Sequence, residues 1–186
     1  MHKRAEKIYN FWFIECGEED WFKKDPKFDA KISDYFIEDY VKACEGTYNQ
    51  WREHPKNCLA LIILLDQFSR NMFRDSKKAF AQDSKAQTLS KFMIKNKYFS
   101  NFTNNEILFS LIPLLHSEII SDHLIAHENC DKFLSSDKNY DRIKKTWDDH
   151  TIAIKQFGRY PHRNKILGRK NTNEETSFLM QPNSSW

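Results

Sequence analysis

The sequence predicts an all-α chain, and three observations carry that reading. Glycine (4 residues) and proline (5) are too scarce for the corners of a β-sandwich. Aromatic residues make up 15% of the chain, which is far from the composition of a disordered polymer. Apolar residues recur at helical spacing, and helix start and stop signals punctuate them. A length of 186 residues suits one well-buried core and is short for two ordinary domains, so residues 1–186 are expected to form one domain.

A first helix is expected over Lys3 to Phe13, with Ile8, Phe11 and Trp12 on one face, followed by a charged loop that ends in Trp21 and Phe22. The second has a clear start, because Asp25 can cap the first-turn amides and Pro26 suits the first helical position. Phe28, Ile32, Tyr35, Phe36 and Ala43 repeat at helical spacing before Gly46 closes it. A short turn around Trp51 leads to a third helix, about Asn57 to Phe73. It is apolar nearly all round from Leu59 to Leu65, as a central buried helix would be, and then abruptly polar. A fourth spans about Ser76 to Asn96. Thr103 and Glu106 form a capping box ahead of a helix from Asn105 to about Leu134, with a kink or break at Pro113. Another covers Tyr140 to Phe157 and ends at Gly158. A charged, non-helical turn follows over Arg159 to Asn164, and a second capping box, Thr172 to Glu175, opens a short terminal helix through Met180. The sum is seven or eight helices in antiparallel hairpins with short connections, compatible with a degenerate solenoid-like stack.

Composition also bounds the partners. The 29 basic and 26 acidic residues nearly cancel, to a formal +3, and no basic stripe or RNA module stands out, so nucleic-acid binding is not expected. The longest apolar run, Cys58 to Leu65, falls far short of the roughly 20 residues that span a bilayer. Met1 to Phe13 lacks the apolar core of a signal peptide. Cys16, Cys44, Cys58 and Cys130 follow no metal or disulfide spacing and read as reduced thiols of a cytoplasmic protein. The basic run Arg142 to Lys145 reads as a solvated helix face.

Three stretches are too particular to be composition: Leu64-Leu65-Asp66-Gln67-Phe68-Ser69-Arg70-Asn71-Met72-Phe73-Arg74, His116-Ser117-Glu118, and Phe157-Gly158-Arg159-Tyr160-Pro161-His162-Arg163-Asn164 running on to Leu167-Gly168-Arg169. Together they resemble a widespread bacterial family catalogued as domain of unknown function 924, from the Phe11-Trp12-Phe13 segment to Phe178-Leu179. The resemblance implies an all-α fold similar to tetratricopeptide-type helix-pair stacks, and it implies no reaction. Ser69 stands where that family usually has proline, and His123 where a glutamine is expected.

The motifs concentrate chemistry. Asp66, Arg70 and Arg74 are spaced to share one stripe of the third helix, with Gln67 and Asn71 on the next. Arg70, Arg74, Arg159, Arg163 and Arg169 offer more guanidinium donors than Asp66 and Glu118 can satisfy. The surplus points to a small anionic ligand, phosphate- or carboxylate-bearing, held with Gln67, Asn71 and Asn164. His116, Glu118 and His162 are the candidate acids and bases if there is turnover, since imidazole titrates near neutral pH. Ser117 is no triad nucleophile, because adjacent helical side chains point apart. The alternative is a structural clamp inside a scaffold that binds a protein partner. His116, His123 and His127 fall on one helical face, but no acidic partner stands between the last two and Pro113 disturbs the register nearby, so no metal site is expected. No cofactor is implied.

Overall fold

The computed structural model describes residues 1–182, 184 and 185. All regular structure among them is helical. The chain forms two compact units, Met1–Pro113 and Leu114–Trp186, and each is described by itself.

The first unit opens with α1 (Lys3–Asn10), which continues as a π-helical turn, Phe11–Glu15, and a single turn α2 (Glu18–Trp21). Helix α3 (Pro26–Cys44) begins as its sequence predicts, with Asp25 accepting from the Lys27 and Phe28 amides. Pro55 opens α4 (Pro55–Ile62), which runs without a break through a π-helical turn, Ile63–Phe68, into α5 (Ser69–Met72). The predicted fourth helix is two pieces, a 3-10 turn at Lys77–Phe80 and α6 (Asp83–Lys95). The Thr103–Glu106 capping box then starts α7 (Asn104–Leu115). The core is aromatic: Phe11, Trp12, Phe36, Phe68 and Phe109 are 1% exposed or less, and the ring centres of Phe36 and Phe68 lie 4.9 Å apart. Burying each such ring contributes roughly 2 kcal/mol or more.

The second unit holds α8 (Ile120–Leu134), α9 (Tyr140–Phe157), a 3-10 turn at Pro161–Arg163, α10 (Asn164–Leu167) and α11 (Asn173–Leu179). Gly158 ends α9 at φ +66°, a left-handed position that glycine occupies without strain. Ala153, Ile154 and Tyr160 are buried together, with Phe178 of α11 against them.

Four expectations need correcting. The described residues contain eleven α-helical segments rather than seven or eight, because π and 3-10 turns subdivide the longer runs. The long helix from Asn105 is broken, but at His116–Ile119 and not at Pro113, which sits within α7. Pro113 lacks the amide that would donate to the Phe109 carbonyl, yet the helix runs past it to Leu115. The break is fixed instead by side chains that capture three successive carbonyls. The Tyr160 hydroxyl donates to Leu115, Arg163 Nη1 to His116 (3.0 Å), and His123 Nε2 to Ser117 (2.9 Å). With their acceptors taken in this way, those residues have no need of a further helical turn. His116 is therefore not on one helical face with His123 and His127. Lastly, the Arg159 to Asn164 turn is partly helical, through its 3-10 turn and the start of α10.

Candidate functional site

The predicted site residues divide between the units. In the first, Asp66 and Gln67 lie in the π-helical turn and are buried, with Gln67 Nε2 donating to Asp66 Oδ2. Arg70 reaches both oxygens of Asp83, at 2.9 and 3.0 Å, and the Asp66 carbonyl at 2.9 Å. Arg74 lies past the end of α5, so the expected stripe of Asp66, Arg70 and Arg74 does not persist. It grips Asp29 of α3 through Nε (2.6 Å) and Nη2 (2.7 Å), and Asn71 donates to the same carboxylate at 2.8 Å. These are two fork-on-fork pairs, the strongest geometry open to a guanidinium.

In the second unit, Arg159 grips Glu175 through Nε (2.6 Å) and Nη2 (2.8 Å). Glu175 is also the acidic half of the capping box that starts α11, and Asn164 Nδ2 donates to it at 3.2 Å. Arg169 grips Glu118 at 2.6 and 2.9 Å, and the Tyr160 amide donates to Glu118 at 2.8 Å. The two cationic and amide partners hold the Glu118 carboxyl below its usual range, against the larger opposing effect of burial. Asn164 Oδ1 and Arg169 Nε are among the buried atoms that make no hydrogen bond within the described residues.

Arg163 is placed differently. It donates to the His116 carbonyl, and its guanidinium lies 4.5 Å over the Tyr160 ring, a cation–π contact. The rings of His162, His150 and His123 lie 5.3, 6.1 and 6.2 Å from that same buried ring. Burial and then the Arg163 charge push His162 down to about 3, and burial pushes His150 to the same level. The cluster thus gathers neutral imidazoles beside a permanent cation. The His116-Ser117-Glu118 and Arg159–Arg169 motifs are joined in one network by hydrogen bonds.

No helix among the described residues is long and apolar enough to cross a membrane. Nor does any group of three or more His, Cys, Asp or Glu side chains among them stand where it can hold a metal ion. A cleft of about 720 Å³ in the first unit is lined by His2, Trp51, His54, Lys56, Tyr98 and Phe102, among others, and no residue of the three motifs lines it.

The family described as bacterial protein of unknown function (DUF924) matches residues 8–183. This chain belongs to that family. It is also 31% identical to a protein of unknown function from Agrobacterium tumefaciens, whose solved structure it matches with a TM-score of 0.86 over 96% of this chain and 97% of that one. No curated protein matches. Several partners that complete the three motifs lie outside them. Asp29 and Asp83 are acidic residues on amphipathic helices, indistinguishable by spacing from solvated ones, and the spacing of Glu175 marks only its capping box. Thr151 and His150 carry no motif at all. Lys144, expected on a solvated face, bonds Asp131 at 2.8 Å and His127 Nδ1 at 3.3 Å.

Proposed function

We propose that the protein binds a small anionic ligand, phosphate- or carboxylate-bearing, in the second unit, at Arg163 with His116 and His162. The observation that carries this reading is the setting of the Arg163 guanidinium, over the Tyr160 ring and beside the His116–Ile119 turn. Arg70, Arg74, Arg159 and Arg169 each close on an internal carboxylate. Arg163 stands beside the His150 and His162 imidazoles, which stay neutral at pH 7. A neutral imidazole both donates and accepts, so His162 suits an anion that carries its own hydroxyl or proton, with His116 close by. Asp66, Gln67, Arg70, Asn71 and Arg74 then act as a clamp for the first unit, and Arg159, Asn164 and Arg169 as supports for the second. Turnover would need His116, Glu118 or His162 at the ligand, and Glu118 is the least suited because Arg169 holds it ionised. Four free thiols support a cytoplasmic setting.

A second reading has its own observation. Ile119, Ile120 and Leu124 are 58, 38 and 56% exposed at the start of α8, which suits a tetratricopeptide-like scaffold with a protein partner.

A thermal-shift screen separates the two readings, using inorganic phosphate, phosphorylated metabolites and dicarboxylates. A ligand at about 100 times its dissociation constant adds nearly 3 kcal/mol. The ligand reading expects a shift in the wild type that His162→Gln and Arg163→Lys reduce and Arg74→Lys leaves intact. A panel without any shift, or a shift that survives both second-unit changes, defeats it.

A further inference from the structure

Side chains of α8 and α9 form a hydrogen-bonded chain whose direction is set by its two ends. Lys144 Nζ lies 3.3 Å from His127 Nδ1, and His127 Nε2 lies 2.9 Å from Thr151 Oγ1. Thr151 Oγ1 lies 3.0 Å from His123 Nδ1, and His123 Nε2 lies 2.9 Å from the Ser117 carbonyl. An ammonium only donates and a carbonyl only accepts. With both rings neutral, His127 accepts at Nδ1 and donates from Nε2. Thr151 then accepts from His127 and gives its hydroxyl proton to His123 Nδ1, and His123 donates from Nε2 to Ser117. Burial is the largest of the effects that lower both imidazoles from their ordinary range, so the neutral state is the resting one.

Thr151 has a second destination for its proton. Its Oγ1 also lies 2.8 Å from the Trp147 carbonyl, one turn back on α9, and one hydroxyl proton serves one acceptor at a time. When His123 gains a proton at Nδ1, that N–H donates to Thr151 Oγ1 and the hydroxyl turns to Trp147. Thr151 then accepts from both histidines and donates once, which fills its capacity. No hydrogen bond is lost, and the one to Ser117 becomes charge-assisted. His127 has no such provision, because a proton on its Nδ1 would meet the Lys144 ammonium, with Asp148 Oδ1 at 3.9 Å and out of hydrogen-bond reach.

We propose that His127, Thr151 and His123 form a one-way relay that takes up a single proton at His123, reverses the Thr151 hydroxyl and tightens the hold on the His116–Ile119 turn. The device goes beyond the ligand reading and stands whether or not an anion binds at Arg163. His127 and His116 oppose the charge on His123, Asp122 favours it, and the Tyr160 ring lies 6.2 Å away. His150 of α9 also faces His123, and the two imidazoles oppose each other's charge. Lys144 opposes a charge on His127, while Asp148, Asp131 and the Trp147 carbonyl favour it.

The test is a titration of the full chain, 15N-labelled, followed by long-range 1H–15N spectra of the imidazole rings from pH 8 to pH 4. At pH 8 both rings are expected as the Nε2–H tautomer. On acidification His123 gains its second proton before His127. Thr151→Ser, which keeps the hydroxyl, leaves that order unchanged, whereas Thr151→Val moves the His123 titration to lower pH. Lys144→Met, a surface-side change that stays informative if the valine variant does not fold, raises the His127 titration. An Nδ1–H tautomer of either ring at pH 8, His127 titrating first, or no response of His127 to Lys144→Met would each overturn the relay. None of these readouts depends on a ligand.

Discussion

The Tyr160 ring is wholly buried, with three histidine rings within 6.2 Å and the Arg163 guanidinium over its face. Its hydroxyl caps the Leu115 carbonyl, so Tyr160→Phe removes a buried donor at little cost in volume. A loss of about 1.5 kcal/mol is expected in urea unfolding, mostly from the stranded acceptor. In the first unit, Asp29 receives Arg74 twice and Asn71 once, and Asp29→Ala strands all three donors. The same measurement should register about 2 kcal/mol there, since hydrogen bonds to charged groups exceed neutral ones. An unchanged midpoint in the aspartate variant would remove the clamp role given to Arg74. Tyr160 itself belonged to a motif whose residue types were legible, but its partners were not. Nothing in the sequence says that His123, His150 and His162, spread over forty positions, meet around one ring.

Helix boundaries with a local chemical cause were legible. Asp25-Pro26, Thr103 with Glu106, Thr172 with Glu175, and Gly158 all act where the sequence places them. Each is a contact within a few residues, so spacing alone encodes it. The π-helical turns at Phe11–Glu15 and Ile63–Phe68 had no such mark. An inserted residue in a helix shows only as drift in an apolar run, and Ile62 to Leu65 is apolar on every side. The break after Leu115 was misplaced for a related reason: its causes are Tyr160, Arg163 and His123, all distant or outside the broken segment. The Gly158 reading is checked by substitution. Open space surrounds its Cβ position, so Gly158→Ala should cost about 1 kcal/mol from backbone strain alone. Gly158→Asn should recover part of that, because asparagine tolerates the left-handed region. Equal losses for the two would point to packing instead.

At the scale of the chain, the protonation states set how stability depends on pH. His150 and His162 stay neutral in the folded protein down to about 3, while the same rings in the unfolded chain titrate near 6.5. Between those values the unfolded chain binds more protons, so this contribution is complete above 6.5 and shrinks as the pH falls toward 3. Glu118 and Glu175 add a second loss below 4.5, which for Glu175 extends to about 2. Urea midpoints should therefore decline from pH 6.5 downward, and a flat profile to pH 4.5 would contradict the neutral histidines. One domain over the whole chain remains our expectation, since the family match spans both units and α7 runs across their boundary. Calorimetry should then show a single transition, and two resolved transitions would count against it. The central claim is that Arg163 serves a ligand. A crystal soaked with tungstate, a heavy analogue of phosphate, tests it most directly. The account predicts an anomalous peak within hydrogen-bond distance of Arg163. Tungstate bound at Arg74 or Arg159 with none at Arg163, or no bound tungstate at all, would contradict it.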